Sequence, residues 1–216
     1  ILHKYDMAKI LDRINKNGMS FKTEIPVEKE KNDEMEFVLL NDENKLSLAI
    51  NTIPRDAIVA FDTETTDIDT QKAQIVGFSF AYEKNKAYYV PISHSYLGVP
   101  EQISKDAAFQ AITQLNRYKL VLQNFKYDYE IIRNNFDIEL KLYADTMILS
   151  WLLDTNEKVG LDYQVNKYFS HKMIAFKDVV KKGENFSSID VYKACDYAAE
   201  DALMTLKLFN KQLEVF

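Results

Sequence analysis

The chain has 216 residues, a formal net charge of −6 and 47% hydrophobic residues, which is enough apolar content for one good core. No apolar run approaches the roughly 18 residues that a membrane-spanning helix needs, and the single cysteine, Cys195, cannot form an internal disulfide. These features argue against a helical membrane span and a disulfide framework. We expect a reduced, cytoplasmic setting with no membrane partner.

The first 34 residues are expected to differ from the rest of the chain. Residues 7–17 have the spacing of a short amphipathic helix, and the charged run at 28–34 is typical of an exposed linker. Because the chain does not begin with methionine, we expect a fragment of a longer protein.

The remaining sequence predicts strands first and helices later. Runs rich in β-branched and aromatic residues predict strands at 36–40, 58–64, 75–82 and 87–92. Turn-prone residues between the last three indicate antiparallel hairpins. Helical patterns are found at 44–52, 105–117, 126–135 and 145–153. An extended run at 119–123 indicates a βα crossover, Asp145 is an N-cap candidate, and the final third is predicted to be almost all helix. This order predicts an α/β fold with a mixed central sheet flanked by helices on both faces.

Three acidic motifs lie along these elements. Asp62 and Glu64 alternate on a predicted strand, so both carboxylates project to one side. Asp128 follows the extended run where strand becomes helix, which is where α/β sheets place their ligands. Tyr197 and Asp201 are four residues apart on one helix face. We expect these side chains to meet, and carboxylate oxygens are the ligands that Mg²⁺ and Mn²⁺ prefer.

Two further matches compete with these motifs. Asp128 and Glu130 have the same spacing as the first motif, and Tyr192 and Asp196 have the spacing of the third. A single match of this kind is more often a solvated carboxylate, so the assignment depends on the order and context of all three motifs.

The motifs and their surroundings resemble the proofreading 3′→5′ exonuclease domain of the bacterial DNA polymerase I family. The resemblance covers roughly residues 36–212 and is carried by the segments at 59–65, 75–81, 89–92 with His94, 124–128, 145–147 and 197–201. It implies a ribonuclease H-like fold and a 3′→5′ exonuclease domain at 35–216. It also implies that residues 1–34 are a remnant of an upstream 5′-nuclease domain plus the linker, that a polymerase domain lies downstream in the same chain, and that the isolated domain is a monomer.

The resemblance also implies residue roles. Asp62, Glu64 and Asp201 would hold one divalent cation, and Asp62 would bridge to a second one that Asp128 supports through water. Tyr197, together with Glu64, would orient the attacking water. The positions that correspond to substrate contacts in the family are Thr65, Ile68, Gln123, Asn124, Tyr127 and Phe176. Of these, Ile68 would wedge against the terminal base and Phe176 would stack on the strand.

The activity expected from this resemblance is removal of nucleotides from the 3′ end of single-stranded or frayed DNA, with two Mg²⁺ or Mn²⁺ ions. An RNase D-like exoribonuclease, with the same acidic set and tyrosine, is the alternative. A non-catalytic scaffold is disfavoured, because a decayed site should have lost one of these residues. The net charge of −6 is unusual for a nucleic-acid enzyme, although two bound cations would offset four of those charges. Basic residues cluster at Lys167, His171, Lys172, Lys177, Lys181 and Lys182.

Overall fold

A six-stranded mixed sheet organises residues 34–216, which are the residues that the computed structural model describes. The expectations for residues 1–33 lie outside the described residues. The strands are β1 Glu36–Leu39, β2 Ile58–Thr65, β3 Ile75–Glu83, β4 Lys86–Pro91, β5 Lys119–Leu122 and β6 Leu142–Asp145. Their order in the sheet is β1-β4-β3-β2-β5-β6. Strand β3 is antiparallel to both of its neighbours, and the other pairs are parallel.

The helices cover both faces of this sheet. They are α1 Glu43–Asn51, α2 Lys105–Leu115, α3 Phe125–Phe136, α4 Thr146–Leu153, α5 Leu161–Phe169, α6 Phe176–Val179 and α7 Val191–Val215, with a 3₁₀ turn at Phe186–Ser188. Side chains that accept hydrogen bonds from first-turn amides begin four of them, at Asp42, Ser104, Asp145 and Asp190. The predicted α/β fold is confirmed.

The alternation of residues along β2 divides the core between the two faces. Val59 and Phe61 pack in the large apolar cluster beneath α1, α2 and α3, whereas Ala60 points to the opposite face and meets α7. On α7 the contacts to the sheet include the small side chains Ala199 and Ala202. Small residues let a helix approach a sheet closely, so α7 brings its polar side chains next to the end of β2.

The strand β6 is the element that the sequence did not predict. It has four residues, three of which are exposed or half-exposed, and it pairs with β5 at the edge of the sheet. Such a short run lacks a period that would identify it as a strand. The predicted helix at 145–153 begins one residue later than expected, because Asp145 ends β6 and caps α4.

The final third of the chain was predicted to be almost all helix, but loops separate its helices. Residues 154–160, 170–175 and 180–185 have no helix or strand. This matters for function, because the loop at 170–175 forms part of the wall of the cleft described below.

Candidate active site

Three carboxylates converge where the end of β2 meets the middle of α7. Asp62 and Glu64 come from β2 and Asp201 comes from α7, and one oxygen of each lies within 4.8 Å of the others. Glu64 is buried, and the other two are half-buried. Alternation on the strand and the close approach of α7 together produce this cluster.

Asp128 lies beside these three carboxylates but is oriented by a different contact. Its Oδ1 accepts hydrogen bonds from the backbone N of Thr63 at 3.1 Å and from the Thr63 hydroxyl at 2.6 Å. The side chain is 2% exposed. Thr63, which lies between Asp62 and Glu64 on β2, therefore fixes the orientation of Asp128.

Asp145, which was expected only to cap α4, also holds the start of α3, the helix that carries Asp128. Asn124, with φ of 67°, has a left-handed backbone, which is uncommon outside glycine. The amide of Asn124 donates to Asp145 Oδ1 at 3.2 Å, and the amide of Phe125 donates to Oδ2 at 2.9 Å. Asp145 thus fixes the turn from β5 into α3. The sequence identified Asp145 as a cap but carried no signal for this second contact.

Burial disfavours the charged forms of all four carboxylates, and repulsion by Asp62 adds to this effect at the other three. Burial raises the pKa of Asp62 to about 7. Burial, followed by the charge of Asp62, raises the pKa values of Glu64, Asp128 and Asp201 well above their usual range. Bound cations would remove this penalty. The donor set consists of carboxylate oxygens, which fits Mg²⁺ or Mn²⁺.

We expect metal-free protein to lose stability as the pH rises from about 4 to about 7. In that interval the unfolded chain has released protons that the folded cluster still holds, because the folded pKa of Asp62 is about 7 against 3.8 in an unperturbed carboxyl. Saturating Mg²⁺ should therefore raise the melting temperature by roughly 5–10 °C at pH 8. The gain at pH 5 should be less than half of that. Thermal melts in EDTA and in Mg²⁺ from pH 4 to pH 8 test this expectation. An equal gain in melting temperature at pH 5 and pH 8 would contradict it.

A cleft of about 910 Å³ opens from the carboxylates. Asp62, Tyr197 and Asp201 line one part of it, and Gln123 and Phe176 line its walls. Phe176 is 51% exposed, and its ring meets the ring of Tyr197 edge to face at 6.2 Å between centroids. The cleft therefore combines an acidic part with an accessible aromatic wall.

Tyr197 lies against the acidic cluster with its hydroxyl protonated. Burial, and then the charges of Asp201, Glu64 and Asp62, raise its pKa above the ordinary phenol value. The hydroxyl is thus a hydrogen-bonding group rather than a base over the working pH range.

The loop that follows β2 presents Ile68 to solvent. Ile68 is 90% exposed. The hydroxyls of Thr65 and Tyr127 lie 2.5 Å apart, and Tyr127 also donates to the carbonyl of Asp67 at 2.8 Å. Two of the predicted substrate contacts therefore also hold the loop that carries a third.

Gln123 is likewise held by protein groups on both ends of its amide. Its Nε2 donates to the carbonyl of Val159 at 2.9 Å, and its Oε1 accepts from the Thr146 hydroxyl at 2.5 Å. It lines the cleft in this fixed orientation.

Glu130, Tyr192 and Asp196, which complete the competing motif matches, lie outside the three-carboxylate cluster. Glu130 accepts a hydrogen bond from the Thr70 hydroxyl at 2.6 Å, and so ties α3 to the loop that carries Ile68. Tyr192 and Asp196 lie on the exposed side of α7.

The predicted basic residues divide into two that bond to acidic side chains, one that lines the cleft and three that are exposed. Lys167 forms an ion pair with Glu157, and His171 donates to Glu200 at 2.8 Å. Lys172 lines the cleft. Lys177, Lys181 and Lys182 are exposed.

Comparison with known proteins places this chain in a family. Residues 37–214 match the model of a 3′-5′ exonuclease family. The chain is 37% identical to DNA polymerase I of Borreliella burgdorferi over 163 residues, which are 74% of this chain and 18% of the relative. It is 38% identical to DNA polymerase I of Pseudomonas aeruginosa over 208 residues, which are 92% of this chain and 22% of the relative. The chain thus spans about a fifth of the length of these relatives.

The fold also occurs in a solved exoribonuclease. Escherichia coli RNase D, described as an exoribonuclease involved in structured RNA processing, superimposes with a TM-score of 0.60 at 16% identity, over 84% of this chain and 45% of that one. The likeness confirms the predicted ribonuclease H-like fold. Within residues 34–216, none of the helices is both long enough and apolar enough to cross a membrane. The chain belongs to the 3′→5′ exonuclease family of bacterial DNA polymerase I.

Proposed function

We propose that this domain removes nucleotides one at a time from the 3′ end of single-stranded or frayed DNA, as the proofreading domain of a cytoplasmic DNA polymerase I. The observation that carries the proposal is the convergence of Asp62, Glu64 and Asp201 at a cleft with an accessible aromatic wall. Residues 35–216 would form the exonuclease domain, monomeric when isolated, after a remnant of a 5′-nuclease domain at 1–34 and before a polymerase domain. The polymerase I relatives, which are several times longer than this chain, support that context.

Asp62, Glu64 and Asp201 would hold one Mg²⁺ or Mn²⁺ ion, and Asp62 would share a second ion that Asp128 supports through water. Such ions lower the pKa of bound water and offset the charge that develops on the phosphoryl oxygens and the leaving 3′-oxygen. The contact of Asp128 with Thr63 supports an outer role for it, because that contact already uses one carboxylate oxygen.

Tyr197 and Glu64 would orient the attacking water. The protonated phenol can donate one hydrogen bond and accept another, so it fixes the direction of the water without removing its proton. The packing of Phe176 against the Tyr197 ring supports this role, because it restricts the ring next to the acidic cluster.

Phe176 on the cleft wall and Ile68 on the loop after β2 would hold unpaired bases. Phe176 and Ile68 are both exposed, and stacking on an aromatic face tolerates any base. We propose that Thr65, Gln123, Asn124 and Tyr127 contact the sugar and phosphate of the 3′-terminal nucleotides. Their contacts within the protein hold them in place before DNA binds.

An RNase D-like exoribonuclease is the second candidate. The similarity of the fold to Escherichia coli RNase D favours it. The higher identity to DNA polymerase I relatives favours DNA.

We expect a 5′-labelled single-stranded DNA to be shortened from its 3′ end far faster than a matched blunt duplex. Because each terminal stack costs about 1.4 kcal/mol, melting two or three pairs should slow cleavage by roughly 10²–10³-fold. Duplexes with mismatched 3′ ends should fall in between. Gel analysis in Mg²⁺ of DNA and of RNA of the same sequence gives the answer. Equal rates on single strand and duplex, or cutting of a circular single strand, would rule out the proposal, and faster RNA shortening would favour the second candidate.

A further inference from the structure

Glu200 is a buried carboxylate next to the acidic cluster, and the proposed mechanism does not use Glu200. It is 3% exposed and immediately precedes Asp201 on α7. Its Oε1 accepts a hydrogen bond from His171 Nε2 at 2.8 Å, and its Oε2 accepts one from the backbone N of Ile174 at 2.7 Å. Both oxygens are thus bonded to the loop between α5 and α6.

This loop is a wall of the cleft. Residues 171–175 have no helix or strand, and Lys172, Met173, Ile174 and Ala175 line the cleft together with Phe176 at the start of α6. On its inner side, Met173 packs with Val165 and Met204. The loop is therefore anchored to α7 by an apolar contact through Met173 and by the polar contact to Glu200.

A buried carboxylate is costly unless hydrogen bonds compensate it. The Ile174 amide and the His171 ring supply those bonds, and bonds to a charged acceptor are the stronger kind. They also direct both oxygens of Glu200 towards the loop, which argues against Glu200 as an additional metal ligand.

We infer that Glu200 and His171 are positioning residues that set the stacking wall relative to the carboxylates. Two neighbouring residues of α7 then have different roles. Asp201 belongs to the carboxylate cluster, and Glu200 fixes the loop that places Phe176 against Tyr197. The expected kinetic effect rests on the proposed function. The contact between Glu200 and the loop does not depend on that function.

The test uses His171, because its side chain is 29% exposed and it is not among the carboxylates, so its replacement should not prevent folding. His171→Ala removes one bond to Glu200, and His171→Gln keeps a side-chain NH₂ that can donate. We expect His171→Ala to raise the KM for a single-stranded DNA oligonucleotide roughly ten-fold, with kcat changed less. In His171→Gln the KM should return most of the way to that of the unaltered protein. The Mg²⁺ concentration that gives half-maximal rate should not change.

Two further measurements separate positioning from general destabilisation. If His171 acts through the wall, the KM effect of His171→Ala should disappear in a Phe176→Ala background. Hydrogen exchange at the Ile174 amide should become at least several-fold faster in His171→Ala, while amides of β2 are unchanged.

Additive effects of His171→Ala and Phe176→Ala, or unchanged exchange at the Ile174 amide, would overturn the inference. A shift in Mg²⁺ dependence with unchanged KM would also overturn it, in favour of a role at the metal. If the unaltered protein shortened no DNA, the proposed function would fail, and the exchange measurement would still decide whether His171 and Glu200 hold the wall.

Discussion

Asp62→Ala is expected to reduce 3′→5′ hydrolysis of single-stranded DNA by at least about a thousand-fold. Asp62 lies in the three-carboxylate cluster and is the residue proposed to contact both cations, so its loss removes the positioning of the water and of the phosphate together. The fold should survive. Removing one of several buried, mutually repelling carboxylates relieves repulsion in the metal-free protein, so its melting temperature in EDTA should be equal or higher.

Asp196→Ala is the matched control for this variant. Asp196 is an exposed carboxylate on α7, five residues before Asp201, and its removal should leave the rate near that of the unaltered protein. Gel assays in Mg²⁺ and thermal melts in EDTA with and without Mg²⁺ cover both variants. If Asp62→Ala kept a rate near that of the unaltered protein, the metal site would have to lie elsewhere.

Tyr197→Phe is expected to lower kcat by roughly 10–1,000-fold, which is the range for one positioned catalytic group. The substitution keeps the ring that packs against Phe176 and removes only the hydroxyl. KM and the melting temperature should change little, because the aromatic contacts remain. Single-turnover kinetics with saturating protein would separate the chemical step from product release.

Tyr192→Phe serves as the control, because Tyr192 is 62% exposed and belongs to the competing motif match. It should leave kcat unchanged. An unchanged kcat in Tyr197→Phe would mean that its hydroxyl does not orient the water, and a loss of activity in Tyr192→Phe would reverse the assignment of the two tyrosines.

The residues of the carboxylate cluster were predictable because their signals are local. Asp62 and Glu64 share a face through the two-residue period of a strand, and Tyr197 and Asp201 share one through the four-residue spacing of a helix. The convergence of the strand and the helix follows from the small residues Ala199 and Ala202, whose packing depends on the tertiary structure.

The residues that hold the surrounding loops were not predictable in the same way. Asp145 contacts Asn124 across 21 residues, Glu200 contacts Ile174 across 26, and Glu130 contacts Thr70 across 60. Each contact joins a side chain to a loop that has no periodic pattern, so no local spacing indicates the pairing. In all three cases an acidic residue inside or near a recognised motif holds a loop and does not belong to the three-carboxylate cluster.

A crystal structure with Mn²⁺ and a short single-stranded DNA carrying a hydrolysis-resistant 3′-terminal linkage would test the central claim most directly. We expect an anomalous peak within bonding distance of oxygens of Asp62, Glu64 and Asp201, with the 3′-terminal linkage beside it and the terminal bases against Phe176. Mn²⁺ bound away from these carboxylates, or a 3′ end held in another part of the protein, would contradict the account.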